Sequence, residues 1–162
     1  MVSPQSAQPE SAERRLEKLG VELPPAPTPF GAYVESVQTA NLLYLSGMLP
    51  VVGHEPRFVG RLGKEFDVEQ GREAVGIAAL NVLSAARKHL GSLDKVTKVV
   101  KLAVYLATEG DFLAHPKVAD AASELLLDVF GADQLSVRIV IGVASLPLGM
   151  PVELEVVLEV EG

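Results

Sequence analysis

The chain has no cysteine and no tryptophan, and only five phenylalanines and three tyrosines in 162 residues. Without thiols there is no thiolate nucleophile, no Cys-based zinc site, no iron–sulfur cluster and no disulfide-stapled secreted module. Basic residues are in deficit, 14 Lys plus Arg against 21 Asp plus Glu, for a formal charge of −7. That field repels phosphate backbones and sets a low expectation for nucleic acid. The basic pairs Arg14-Arg15 and Arg87-Lys88 each fall in a helical stretch, where a solvated face or a charge complementing the helix dipole explains them. The three histidines, His54, His89 and His115, do not stand at metal-ligand spacing, so no metal site is expected. The glycines spell neither GxGxxG nor a phosphate loop. The first ten residues lack a basic cluster followed by an apolar run and read as a disordered tail rather than a signal peptide. The longest stretch free of Asp, Glu, Lys and Arg, Ser36 to His54, is interrupted by Gln38, Asn41, Gly47 and Pro50, which argues against a membrane span. A soluble, cytoplasmic protein is expected.

What is present suits one globular domain over residues 11–162, since 48% of the residues are hydrophobic and a chain of this length buries a core without staples. Ser11 caps a short helix closed by Gly20. The arm LPPAPTPFG, Leu23 to Gly31, has four prolines that hold it extended. Alternation predicts a strand from Ala32, a turn over Gln38 to Asn41 and a second strand, Leu42 to Ser46. A further strand is expected within Arg57 to Gly63. Asp67 and Gln70 form a capping box ahead of a helix whose stripe runs Val75, Ala79, Val82, Ala86 and Leu90. A buried strand, Val96 to Ala107, follows, then a helix opened by Pro116 and closed at Gly131. Strands Ser136 to Ala144 and Val152 to Val160 finish the chain. In the last one Val152, Leu154, Val156, Leu158 and Val160 face one way and Glu153, Glu155, Val157 and Glu159 the other. The class is α+β: a mixed sheet with two main helices packed on one face, plus an N-terminal helix. The sheet offers more surface than two helices can cover, so a homotrimer is expected.

Arg138 resists an ordinary reading, because a guanidinium inside an apolar strand needs an anion. Its partner is Glu153 or Glu155 across a strand pair, or else the carboxylate of a substrate, which its planar fork suits. Strand alternation places Val140 and Gly142 on the face of Arg138, and puts Ile139, a buried side chain on this reading, on the opposite face with Ile141 and Val143. Glu153 either orients a water or is a solvated strand residue. Tyr33 and the Ser46-Gly47 pair offer hydroxyls and a turn, and their ordinary roles are cross-strand packing and turn chemistry.

The strings FGAYVESV, LYLSGMLP, SVRIVIGVASLPLG and VELEVVLEV, in that order around the two helices, resemble the YjgF or Rid family of enamine/imine deaminases over roughly Pro29 to Val160. The early helix and the prolines resemble a longer branch of that family. The resemblance implies a chorismate-mutase-like fold and a homotrimer with clefts between subunits. It implies that Arg138 grips a substrate carboxylate and Glu153 helps position the attacking water. It further implies that Tyr33, Ser46 and Gly47 line the cleft, Val140 contacts the substrate, and Asp120 stands near the family's second-helix Asn. Where the family commonly has Ser and then Cys after the Arg, this chain has Ile139 and Val140. The reaction implied is hydrolysis of an imine to ammonia and a 2-oxo acid without a cofactor; the alternative is a non-catalytic trimer that binds a small carboxylate, as regulator or chaperone. The endoribonuclease label of some members conflicts with the charge of −7 and with the lack of an aromatic-plus-basic surface.

Overall fold

The computed structural model describes residues 9–162, so most of the tail expected over residues 1–10 lies outside the described residues. Helix α1 (Ala12–Leu19) starts at Ser11, whose side chain accepts from the Arg14 N–H, and stops at left-handed Gly20. Helix α2 (Val68–Leu90) opens on the expected capping box: the Gln70 N–H donates to Asp67 Oδ1 at 2.9 Å and the Asp67 N–H to Gln70 Oε1 at 3.0 Å. These bonds satisfy two of the helix's orphan donors. Helix α3 (His115–Phe130) carries Pro116 in its first turn and ends at Gly131.

The strands are β1 (Ser36–Thr39), β2 (Leu42–Leu45), β3 (Val51–Val52), β4 (Glu55–Pro56), β5 (Val96–Ala107), β6 (Val137–Val143) and β7 (Val152–Val160). Five form one sheet in the order β1-β2-β7-β5-β6, and β3 pairs with β4 alone. Only β5 and β6 run parallel. Central β7 shows why the sheet has two characters. Val152, Leu154, Val156 and Leu158 are fully buried in a core shared with Val75, Ala78, Val82 and Leu83 of α2 and with Val118, Ala122 and Leu126 of α3. The intervening Glu153, Glu155, Val157 and Glu159 face the side that no helix covers. Each methylene on the covered side contributes about 0.8 kcal/mol of transfer free energy, and that fixes the register.

Two expected strands differ. The hairpin begins at Ser36 rather than Ala32, with Thr39 paired to Leu42 around an Ala40-Asn41 turn in which Ala40 has φ 49°. Residues Gly31–Tyr33 bend because the Tyr33 N–H donates to the Gly31 carbonyl. Arg57 to Gly63 forms no strand: Gly60 and Gly63 take positive φ, and only Leu62 makes isolated bridges, to Phe66 and Thr108.

One buried polar residue fastens the loops to the helices. Asn81 of α2 donates from Nδ2 to the carbonyls of Leu49 and Val51, each at 2.9 Å. Asn81→Ala removes both bonds and leaves the Leu49 carbonyl with only the Val51 N–H as donor, so unfolding in urea is expected to show a loss of about 1–3 kcal/mol. An unchanged midpoint would mean that the loop is held by other contacts.

Candidate functional site

The residues singled out in the sequence fall into two groups. The first lies where the β2 end, the β7 start and the proline arm meet: Phe30, Gly31, Tyr33, Ser46, Gly47, Leu49, Pro147, Leu148 and Glu153 line a cavity of about 500 Å³. Ser46 is tied to the chain by its own hydroxyl, which donates to the Val34 carbonyl at 2.6 Å, so its oxygen keeps only acceptor capacity. The Tyr33 phenol oxygen accepts the Phe30 N–H at 3.0 Å, which leaves its proton available as a donor. Gly47 leaves room for Glu153: a Cβ there would lie 2.9 Å from the Glu153 Cδ and 3.2 Å from its Cγ, so a larger residue would displace that carboxyl.

Three carboxylates of β7 point from the uncovered face; Glu159 accepts from the Thr97 hydroxyl at 2.6 Å, and their surroundings separate the other two. Glu155 is engaged, accepting from Lys101 Nζ at 2.9 Å and from the Tyr105 hydroxyl at 3.2 Å. This contact holds the Lys101 ammonium above its ordinary pKa, while burial and then the Glu155 charge push the Tyr105 phenol up. Glu153 has no hydrogen-bond partner among the described residues, and burial raises its pKa above the ordinary carboxylate value. A half-buried, unpartnered carboxyl with a raised pKa, opening on a cavity, is suited to taking and returning a proton.

The second group lies across the sheet. Arg138 does not pair with Glu153 or Glu155. Its Nη1 donates to Asp120 Oδ1 at 2.8 Å and to Ser123 Oγ at 3.0 Å, both on α3. Register explains this: Arg138 lies beside Leu102 and Val140 beside Val104, which belong to the helix-covered face with Val156 and Leu154. Val140 accordingly packs on the core. Ile139 and Ile141 lie beside Ala103 and Tyr105 on the uncovered face and are 46% and 39% exposed. The expected alternation holds, but Ile139 is not a buried side chain. Within one chain Arg138 and Glu153 therefore sit on opposite faces of the sheet, with β5 between their strands.

Sequence reasoning passed over Ser123, Phe30, Leu49 and Leu148. Leu148 had a signal: it precedes Gly149 in a Pro-Leu-Gly turn and adopts φ 57°, a strained conformation for a leucine. Among the described residues no cluster of three or more His, Asp or Glu could hold a metal ion, and no helix is long and apolar enough to cross a membrane.

Comparison with known proteins adds to this geometry. Residues 13–158 match the family described as YjgF/chorismate mutase-like, putative endoribonuclease. The chain is 38% identical over 145 residues to protein TCP17 of Trypanosoma cruzi, covering 89% of this chain and 91% of that protein. It is 28% identical to a 2-iminobutanoate/2-iminopropanoate deaminase of Dermatophagoides farinae, covering 87% and 95%. The crystal structure of Atu1372 from Agrobacterium tumefaciens, a protein of unknown function, superposes with a TM-score of 0.84 at 33% identity, covering 93% of this chain and 92% of that one.

The raised pKa of Glu153 has a signed consequence. The folded state binds this proton more tightly than the unfolded chain, so the carboxyl lowers stability at neutral pH and ceases to do so as pH falls below about 4. Glu153→Gln is therefore expected to melt at a higher temperature than the parent at pH 7, with the gap closing at pH 4. A variant that melts lower at pH 7 would show that the carboxylate is held by a stabilising partner.

Proposed function

The chain belongs to the YjgF/chorismate mutase-like family, and from that premise we propose that it hydrolyses reactive 2-imino acids to ammonia and 2-oxo acids, as a homotrimer whose sites lie between subunits. The observation that carries this reading is the Glu153 carboxyl, unpartnered and raised in pKa beside the space left by Gly47. The similarity to a 2-iminobutanoate/2-iminopropanoate deaminase supports it.

The chemistry needs three things. Arg138 grips the substrate carboxylate: Asp120 and Ser123 take its Nη1, so Nε and Nη2 have no partner among the described residues and form one edge of the fork. Asp120 is then a positioning residue, since its own negative charge repels a substrate carboxylate. With the substrate as its protonated imine, Glu153 takes a proton from water as the water oxygen bonds to the C=N carbon and the C=N electron pair moves to nitrogen, forming a neutral carbinolamine. It then returns that proton to nitrogen and takes the carbinolamine hydroxyl proton as the C–N bond breaks and the C=O bond forms; ammonia leaves and carries off this last proton as ammonium. Tyr33 donates to the substrate and Ser46 accepts from it within the same cavity.

The trimer supplies what one chain lacks. Val137, Ile139, Ile141 and Tyr44 leave apolar surface on the uncovered face of the sheet, and a second copy seated there buries it. Docking subunits edge to face brings the Arg138 of one chain to the Glu153 cavity of the next. A polyanionic substrate is disfavoured by the charge of −7 and by a site whose reacting group is acidic.

The test is release of pyruvate and ammonia from 2-aminoacrylate generated in situ. The parent protein is expected to exceed the uncatalysed blank, and Arg138→Ala to lower kcat/KM by about 100-fold, the scale of a truncated charge pair. Release at the blank rate with correctly folded protein would refute the reading.

A further inference from the structure

Resting on that reading, we infer that the cavity is built for 2-imino acids with a large apolar side chain, branched aliphatic or aromatic, and that Phe30 is the residue that selects them. The cavity has two chemically distinct walls. One carries the polar groups Glu153, Ser46 and Tyr33; the other is Phe30, Leu49, Pro147 and Leu148. A methyl or ethyl group leaves most of the second wall in contact with water, whereas a leucine- or phenylalanine-sized side chain fills it.

The apolar wall is held in place, at Leu148 with some conformational cost. Leu148 is 55% exposed although it sits at φ 57°, a position where glycine or asparagine is the ordinary choice. Phe30 is 40% exposed, yet it is fixed from three directions. Its ring stacks on the His54 imidazole, centroids 4.2 Å apart and planes at 26°. Its N–H donates to the Tyr33 hydroxyl at 3.0 Å. Thr28, two residues before it, is hydrogen-bonded through Oγ1 to His54 Nδ1 at 3.0 Å. His54 lies in the β3–β4 hairpin, and that hairpin hangs from α2 through the Asn81 bonds to Leu49 and Val51. The proline arm is thus latched as a fixed wall, and an exposed aromatic ring so immobilised presents its free edge to a ligand with little ordering cost on binding. His54 acts through Phe30 and is a positioning residue.

The experiment measures binding of product-like acids, which reads the wall without requiring turnover. Calorimetric titration of the full chain with 4-methyl-2-oxopentanoate, 3-phenyl-2-oxopropanoate and pyruvate is expected to show the two larger acids binding at least about tenfold more tightly, the scale of a methylene or more in an apolar pocket. Phe30→Ala is expected to bring that ratio toward one. His54→Ala is expected to reduce it, while His54→Phe, which keeps a stacking partner, restores it; a merely structural histidine would leave the ratio unmoved. Thermal melts of each variant report folding. Equal affinities, or tighter pyruvate, in the parent protein overturn the inference, as does a ratio unaffected by Phe30→Ala. In parallel, the imines formed by an amino-acid oxidase from leucine, phenylalanine and alanine are offered for hydrolysis. Tight binding of the large acids with no imine hydrolysis would refute the deaminase reading and leave the selectivity standing, so the two failures are distinguishable.

Discussion

The structure depends on a five-stranded sheet that has helices on only one of its faces. A strand gives alternate side chains to opposite faces, so every residue of β7 is committed to a dry core or to the uncovered side. Val152, Leu154, Val156 and Leu158 secure the first and thereby aim Glu153 and Glu155 at the second. The position of the candidate acid–base group is a by-product of core packing, and moving it would require a one-residue slip that expels the core.

The same constraint divides the site. Because Arg138 belongs to the helix-covered face, its guanidinium meets Asp120 and Ser123 of α3 and is drawn away from the Glu153 cavity. Arg138 and Glu153 are separated by the thickness of the sheet and the width of β5. Assembly through the uncovered face is what joins them in the proposed deaminase, so oligomerisation and catalysis become one property. In that proposal selectivity stays with the chain that supplies Glu153, since the proline arm and the turn at Leu148 border its cavity.

Strong local signals made much of the fold legible. The Asp67–Gln70 box, the stripe of α2, the opening of α3 at Pro116 and the alternation of β7 each concern residues within a few positions of one another, where propensity and packing agree. The start of β1 differs because the Tyr33 N–H bond to the Gly31 carbonyl bends the chain where alternation suggests a strand; Arg57–Gly63 differs because Phe58 and Val59 look strand-like, whereas the positive φ of Gly60 and Gly63 breaks any ladder there. Of the site, Tyr33, Ser46, Gly47 and Glu153 do converge on one cavity. The partner of Arg138 was out of reach: alternation tells which residues of β6 share a face, but with Val140 on one side and Ile139 and Ile141 on the other, both faces are apolar and the covered one cannot be told apart. Phe30 and His54 were hidden because a stack between an arm and a hairpin leaves no periodicity.

The claim that the site is shared between chains is tested most directly by complementation between two inactive variants. Arg138→Ala and Glu153→Gln, co-expressed at equal levels so that subunits mix, should recover about a quarter of parental activity, because in a closed ring one site in four receives an intact Arg138 from one chain and an intact Glu153 from its neighbour. If Arg138 and Glu153 acted within the same chain, every site would carry one lesion, and the mixture would be as inactive as either variant alone.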